Sequence, residues 1–200
     1  SIHRRDTRKC GFTKARTRSS SLSIDRNPAT TRWSGMHGRG KTPVVAVTAG
    51  DFNGIGPEVV LKSINAAFVR KICRPLLVGP AGVFEYYSRR LRIPLHSVRI
   101  IESSGRVDAW IRPGEISARS GRAAYQALEA AVELVKQRKA DAIVTAPVSK
   151  QALHRARVDF PGQTEIMQHL SGSRRVAMML VSGTMRVGLA TIHIPIGRVP

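Results

Sequence analysis

The apolar run 142–146, which a proline at position 147 ends, constrains the fold more than any other part of the sequence. A run this short and this apolar is typical of a fully buried strand rather than a helix. Pro147 cannot donate the amide hydrogen that a central strand requires, so the strand must stop there. Ser149 then stands where a helix N-cap is expected, directly ahead of Lys150. The segment therefore predicts a strand, a turn and a helix, the repeating unit of a parallel α/β sheet.

This order of elements places Lys150 at the carboxyl edge of the predicted sheet. Open α/β folds bind their ligands at that edge, and a cation beside a helix start suits a phosphate or a carboxylate. A lysine at such a position is equally compatible with a solvated surface residue. Both interpretations of Lys150, anion binding and simple surface exposure, stay open at this point.

Length and composition fit one α/β domain or slightly more. The chain has 200 residues, of which 42% are hydrophobic and 17 are glycine, and this length is sufficient for a packed core. No apolar run approaches the roughly 20 residues that a membrane span needs. Cys10 and Cys73 are too few and too far apart for a disulfide framework or a zinc motif, so the reducing cytoplasm is the expected compartment.

The formal net charge of +20 at pH 7 is unevenly distributed. Residues 1–41 carry eleven Lys or Arg against two acids, whereas residues 42–200 carry 22 against 11. Such a surplus is typical of proteins that bind nucleic acid or another polyanion. However, the later basic residues are scattered singly or in pairs, and only 5% of all residues are aromatic, which leaves few platforms for base stacking. We therefore favour a generally basic surface without a nucleic-acid partner.

Residues 1–41 are expected to lie outside the fold, which then begins at residue 42. Their composition, rich in Arg, Ser, Thr and Gly, has no sustained periodicity and is typical of a disordered basic leader. An organellar transit peptide and a native start at Met36 are two further interpretations of the same residues. The sequence reaches Pro200 without a terminating feature, and we expect the chain to be truncated there.

The rest of the sequence alternates strands and helices. Strands are predicted at 44–48, 76–79, 97–101 and 142–146. Helices are predicted from 59, over 83–91, from 118 to about 139, and as a short helix that ends near 170. Two apolar strands at 176–181 and 186–192 are spaced as a hairpin. The fold class is therefore α/β, a sandwich whose parallel winding is interrupted by a late hairpin.

The glycine-containing turn after the first predicted strand has two interpretations. Gly54 and Gly56 supply two positions of a dinucleotide-binding fingerprint, but Val59 occupies the third, so the match is weak. Pro57 and Glu58 favour the first turn of a helix. The segment is predicted to be a tight strand-to-helix turn, a loop that faces a ligand, or both.

His193 follows the last predicted strand and precedes Pro195, so its ring is expected where strand becomes loop. A lone histidine is usually a packed or surface residue, and no other histidine or cysteine has ligand-like spacing to it. The sequence also lacks the nucleophile-elbow motif of α/β hydrolases and the phosphate loop of P-loop NTPases. The pattern argues against both enzyme classes and leaves a metal role for His193 open.

Four segments, taken together and in order, resemble one family: VTAGDFNGIGPEVVLK (47–62), VTAPVSKQAL (144–153), FPGQTEIM (160–167) and MRVGLATIHIPI (185–196). They are similar to the N-terminal part of 4-hydroxythreonine-4-phosphate dehydrogenase, an enzyme of pyridoxal 5′-phosphate (vitamin B6) biosynthesis. The resemblance covers residues 43–200, about half of a typical family chain. It implies an α/β sandwich of the isocitrate/isopropylmalate dehydrogenase type, truncated before the C-terminal half, and a homodimer.

The resemblance also implies a reaction and a set of site residues. The reaction is an NAD- or NADP-dependent, metal-assisted oxidation of 4-phosphohydroxy-L-threonine, followed by decarboxylation to 3-amino-2-oxopropyl phosphate. A divalent cation (Zn, Mg or Co) would be held by three histidines, one of which matches His193. A His-Thr pair that contacts the substrate matches Gln163 and Thr164, and Lys150 is a further candidate for substrate binding. Catalytic and nicotinamide-binding residues stay unassigned.

Gln163 departs from the family pattern and makes the substrate an open question. A glutamine amide donates a hydrogen bond but cannot gain charge, so a neutral group replaces a potential cation. Relatives in the family oxidise other phosphorylated hydroxy acids, including 4-phospho-threonate and 4-phospho-erythronate, and these are the alternative substrates. A non-catalytic basic fragment that binds polyanions is the alternative from a different class of protein.

Overall fold

The structure is a computed structural model that describes residues 41–95, 98–105, 107–191 and 194–199. Its strands are β1 (Val44–Thr48), β2 (Arg74–Val78), β3 (Ile100–Ile101), β4 (Ala142–Val144), β5 (Met178–Ser182) and β6 (Met185–Leu189). Its helices are α1 (Gly56–Asn65), α2 (Ala67–Ile72), α3 (Ala81–Leu91), α4 (Ala118–Lys136), α5 (Lys150–Arg155) and α6 (Gln163–Ser171). The predicted α/β class is confirmed.

The first four strands form one parallel sheet in the order β3-β2-β1-β4. Ala46 of β1 is in register with Leu76 of β2 on one side and with Ile143 of β4 on the other. The chain therefore builds outward from β1 through β2 to β3 and then returns to the opposite side of β1. The strand order thus reverses between β1 and β4, which is the position where open α/β sheets bind ligands.

The alternation of side chains along β1 divides the core between two faces of the sheet. On one face, Val47 packs with apolar residues of α1 and α3, among which Phe84 is fully buried. On the other face, Ala46 packs against Ala127 and Ala131 of α4. These alanines recur at a four-residue interval and carry small side chains, so α4 can lie close to the sheet. The predicted amphipathic helix is thereby confirmed, although it ends at Lys136 rather than near 139.

The prediction of a fully buried central strand at 142–146 is wrong. The strand spans only Ala142–Val144, and within the described residues it pairs with β1 alone, so it lies at a sheet edge. Both of its end residues are exposed, Val144 to 53% of its surface. An apolar run predicts a strand through its periodicity, but it carries no information on what covers the strand. The third predicted strand also contracts, to Ile100–Ile101.

The predicted hairpin is confirmed, since β5 and β6 pair in antiparallel fashion. It forms a two-stranded sheet of its own, and every residue of its two strands is exposed or only half-buried. Residues 190 and 191 lie beyond β6, and His193 lies outside the described residues. The predicted leader, except for Lys41, also lies outside them. Within the described part of the chain, no helix has the length and apolar character that a membrane crossing needs.

Candidate functional site

The candidate site lies at the carboxyl ends of β1 and β4, where the strand order reverses. We call residues 49–55 and 145–149, which follow these two strands, the switch-point loops. Two hydrogen bonds join this edge: the Asp51 amide donates to the Pro147 carbonyl at 3.0 Å, and the Ala146 amide donates to Thr48 Oγ1 at 3.2 Å. Thr48 is 1% exposed, so the second bond is shielded from water. The two switch-point loops therefore form a fixed edge.

Gly50 allows the two switch-point loops to approach each other, and Gly56 allows the start of α1 to approach the first of them. Gly50 has a φ of +69°, and a Cβ added there would lie 2.3 Å from the Pro147 carbonyl oxygen. A Cβ on Gly56 would lie 2.6 Å from the Ala49 carbonyl oxygen. The start of α1 is also buried and contains Pro57, which has no amide hydrogen to offer a ligand. The tight-turn interpretation is therefore confirmed, and the geometry gives no support to a dinucleotide cradle.

Two buried polar residues of the first switch-point loop carry hydrogen bonds that the sequence did not predict. Asp51 is 5% exposed and Asn53 is 4% exposed. The backbone amide of Asn53 donates to Asp51 Oδ1 at 2.8 Å. The Asn53 side chain donates to the Glu115 carbonyl at 3.0 Å and accepts from the Arg112 amide at 2.7 Å. Asn53 thus ties the loop after β1 to the segment that leads into α4.

Tyr87 of α3 forms a hydrogen bond with the same loop. Its hydroxyl donates to the Phe52 carbonyl at 2.9 Å, and Phe52 itself is fully buried. Burial, reinforced by the neighbouring Tyr86, raises the pKa of the Tyr87 phenol above its usual value. The hydroxyl therefore keeps its proton and remains a donor throughout the neutral pH range. The only sequence signal for Asp51 and Asn53 is that polar residues interrupt an otherwise apolar and glycine-containing stretch.

Gln163 and Thr164 open α6, and Gln163 lies against the second switch-point loop. The Gln163 side chain donates from Nε2 to the Ala146 carbonyl at 3.2 Å. Ile166, one turn further along, is completely buried and anchors the helix against Leu128 and Leu153. Thr164 is half-buried. The structure thus brings the segment of Gln163 into contact with the segment that follows β4, as expected of residues that share a site.

Lys150 is the first residue of α5, and the predicted cap is confirmed. Ser149 Oγ accepts from the Ala152 amide at 3.2 Å. Lys150 itself is exposed, and its ammonium group has no hydrogen-bond or ion-pair partner among the described residues. Such a cation is available to an anionic ligand, but it equally fits an ordinary surface lysine. Its role in anion binding stays a prediction.

The described residues do not supply a metal site. No group of three His, Cys, Asp or Glu side chains comes together in the part of the chain that the structure describes. His154 is exposed and lies 2.6 Å from Asp159 Oδ1, while the ring of His169 lies 5.3 Å from that of Phe160. Neither arrangement is a ligand set for a divalent ion. The metal prediction therefore depends on His193, which lies outside the described residues, and it remains untested.

Comparisons with known proteins give a consistent result. A family model described as "Pyridoxal phosphate biosynthetic protein PdxA" matches residues 71–200. D-threonate 4-phosphate dehydrogenase of Cupriavidus necator is 40% identical over 167 residues, which are 76% of this chain and 50% of that protein. The 4-hydroxythreonine-4-phosphate dehydrogenase of a Synechococcus species is 40% identical over 172 residues, which are 79% of this chain and 51% of that protein.

A solved structure extends the likeness to the fold. A 4-hydroxythreonine-4-phosphate dehydrogenase from Burkholderia phymatum matches with a TM-score of 0.71 and 37% sequence identity, over 78% of this chain and 52% of that chain. The expected N-terminal part of a dehydrogenase fold is therefore confirmed. The chain spans about half the length of the curated relatives it matches.

Proposed function

The chain belongs to the family of the pyridoxal phosphate biosynthetic protein PdxA, and on that premise we propose that it acts in the oxidation of a phosphorylated hydroxy acid. The first candidate substrate is 4-phosphohydroxy-L-threonine, with NAD or NADP as the hydride acceptor and with decarboxylation after oxidation. One observation carries the proposal: the hydrogen bond from Gln163 to the Ala146 carbonyl. It joins two of the segments on which the resemblance depends, at the sheet edge where α/β folds bind ligands.

Each proposed site residue offers a distinct chemical group. Lys150 offers an exposed cation to the phosphate or the carboxylate. Thr164 offers a hydroxyl, which both donates and accepts. Gln163 uses one Nε2 hydrogen on the Ala146 carbonyl, which leaves its carbonyl oxygen and its second Nε2 hydrogen for a substrate. The oxygen suits a donor on the substrate, and the remaining N–H suits an acceptor.

A second substrate, D-threonate 4-phosphate, is favoured by a specific observation. The Cupriavidus necator relative named for that activity is as similar to this chain, at 40% identity, as the Synechococcus relative named for the other. The two substrates differ at carbon 2, which carries an ammonium group in one and a hydroxyl group in the other. The Gln163 carbonyl oxygen can accept a hydrogen bond from either group.

A direct assay separates the two substrates. Because the relatives are about twice as long, NADH or NADPH formation is measured on the 200-residue chain and on a chimera that adds the remaining half of the Cupriavidus necator relative. The substrates are 4-phosphohydroxy-L-threonine, D-threonate 4-phosphate and 4-phospho-D-erythronate. We expect nucleotide-dependent oxidation of at least one of the first two by the chimera. If the chimera folds but oxidises none of them, while the Cupriavidus necator enzyme is active in the same assay, the proposal is wrong.

Gln163→His in the same chimera tests how the site discriminates between 4-phosphohydroxy-L-threonine and D-threonate 4-phosphate. The substitution restores the histidine that the resemblance implies for enzymes acting on 4-phosphohydroxy-L-threonine, so kcat/KM for that substrate should rise relative to kcat/KM for D-threonate 4-phosphate. Thr164→Val is the matched control, because it removes a neighbouring hydroxyl at nearly constant volume without adding charge. An unchanged ratio of the two kcat/KM values in Gln163→His would remove Gln163 from substrate recognition.

The proposal also includes a metal, an assembly state and a compartment. We propose His193 as one ligand of a divalent cation (Zn, Mg or Co), a homodimer as the assembly, and the cytoplasm as the location. When bound, such an ion polarises the hydroxyl that is oxidised and the carbonyl that it becomes. No group of three His, Cys, Asp or Glu side chains comes together among the described residues, so no step of the reaction is derived through the metal.

A further inference from the structure

A cavity of about 810 Å³ lies at the amino edge of the sheet, opposite the switch-point loops. Its walls come from the starts of β1 and β2, from the residues around β3 and from the turn after α4. The volume falls in the range of about 300–1,000 Å³ that is usual for small-molecule pockets. No residue proposed for substrate binding lines this cavity.

The lining of the cavity is strongly basic. Within the part of the chain that the structure describes, six cationic side chains contribute to it and no acidic side chain does: Lys41, Arg70, Arg74, Arg99, Arg138 and Lys139. Arg70 is held in place, because it donates to the Ile64 carbonyl at 3.1 Å and to Asn65 Oδ1 at 2.7 Å. The side chains of Arg74, Arg99 and Arg138 are exposed, and none donates a hydrogen bond or forms an ion pair within the described ranges. Asp141, which accepts from the Val44 backbone amide at 2.7 Å, brings one carboxylate near the cavity, so the described cations at the cavity outnumber the acids.

Helix dipoles explain part of this charge but not all of it. Helices that connect parallel strands run back toward the amino edge, so α2 and α4 present their negative ends there. Arg70 in the last turn of α2, and Arg138 and Lys139 after α4, are placed to complement those ends. Arg74 and Arg99 lie instead at the starts of strands, so the negative end of a helix dipole does not account for their positions. Repulsion among these charges favours an anion between them.

We propose that this amino-edge cavity binds a compact polyphosphate anion through its triphosphate group. Several cations around one small cavity match an anion with several charges better than a single carboxylate. Among the described residues, no Phe, Tyr, Trp or His lines the cavity, so these residues give a nucleic acid no platform on which to stack its bases. The triphosphate group occurs free and in nucleotides, and the two sources are separated by experiment.

The test is isothermal titration of the 200-residue chain with inorganic triphosphate and, separately, with ATP, at about 0.15 M salt. The cavity variant combines Arg74→Gln with Arg138→Gly. Arg138 has a φ of 56°, a conformation that glycine adopts freely, so this change removes the cation without straining the backbone. The control variant combines Arg175→Gln with Arg157→Gly. Arg157 has a φ of 60°, so the control loses the same charge and carries the same kind of glycine away from the cavity.

We expect the cavity variant to bind inorganic triphosphate at least tenfold more weakly than the original chain, and the control variant less than threefold more weakly. ATP that binds as tightly as inorganic triphosphate would identify the phosphates as the recognised group; tighter ATP binding would identify a nucleotide as the source. Cys73 also lines the cavity, so bound triphosphate should slow its alkylation in a Cys10→Ser background.

Three results would overturn the proposal. Equal losses in the cavity and control variants would show that only diffuse surface charge is involved. Absence of binding by the original chain at about 0.15 M salt would show that the cavity is not an anion site. Tighter binding of a single-stranded RNA oligonucleotide, with the same dependence on the cavity arginines, would replace a triphosphate with a nucleic acid. A thermal unfolding curve for each variant confirms that both are folded.

Discussion

Replacing Gly50 by alanine should destabilise the protein far more than its backbone conformation alone requires. Its φ of +69° costs an L-residue about 1–2 kcal/mol. The new Cβ would lie 2.3 Å from the Pro147 carbonyl oxygen, roughly 1 Å inside an ordinary contact. Relieving that overlap costs about 1–3 kcal/mol for overpacking, and about 1 kcal/mol more if the hydrogen bond from Asp51 to Pro147 breaks. The expected loss in free energy of unfolding is therefore about 2–5 kcal/mol, or about 3–6 kcal/mol if that hydrogen bond breaks.

Gly172→Ala is the matched control for this prediction. Gly172 has a φ of +72°, and an added Cβ would meet no atom within 4 Å. The same substitution there should cost only the conformational penalty of about 1–2 kcal/mol. Urea unfolding of the two variants and the original chain, followed by circular dichroism and compared at equal m-values, gives the difference. A Gly50→Ala variant within 1 kcal/mol of Gly172→Ala would refute the close packing of the switch-point loops.

Four further predictions follow from the described contacts and from the resemblance. Asn53→Ala should lower the free energy of unfolding by about 2–3 kcal/mol in the urea assay, because it leaves a backbone donor and a backbone acceptor unpaired; Asn65→Ala, at a more exposed site, should cost less than half as much. Lys150→Ala in the chimera should raise KM by an amount equivalent to about 1–3 kcal/mol, and an unchanged KM would make Lys150 an ordinary surface residue. Burial raises the pKa of the Cys73 thiol, so iodoacetamide should modify it more slowly near pH 8 than in urea. The raised pKa stabilises the fold at pH values below the thiol's ordinary pKa, and this contribution to stability is lost as the pH rises through the pKa of the folded state. Equal rates of modification in the folded protein and in urea would contradict the prediction. His193→Ala should abolish the bound divalent ion of the chimera in elemental analysis, whereas His154→Ala should retain it.

Much of the fold could be predicted from the sequence because its signals are local. The strand Val44–Thr48 is reproduced residue for residue, and Ser149 caps α5 as its position predicts. The hairpin follows from the spacing of two apolar runs around a short turn. The prediction that Ala142–Val144 is a buried central strand failed, because strand order depends on contacts between segments that lie far apart in sequence. Periodicity within one segment does not contain that information.

The candidate site could be predicted only in part, for the same reason. Lys150, Gln163 and Thr164 come from segments close together in sequence, and the structure places Gln163 against the loop that precedes Lys150. Asn53 was missed because its partners lie about sixty residues further along the chain. A buried asparagine of this kind has no local pattern. It becomes visible only when the backbone groups that it satisfies are known.

The distribution of charge is where the topology changes the interpretation most. In the sequence, the basic residues after position 42 are scattered, and that scatter argued for a merely basic surface. In a parallel sheet, however, every strand starts at the same edge, and every connecting helix ends there. Lys41, Arg74 and Arg99 precede or open three neighbouring strands, so residues separated by dozens of positions come to line one cavity. In an α/β protein, scattered arginines therefore do not argue against an anion site; the test is whether they recur at strand starts, as they do here.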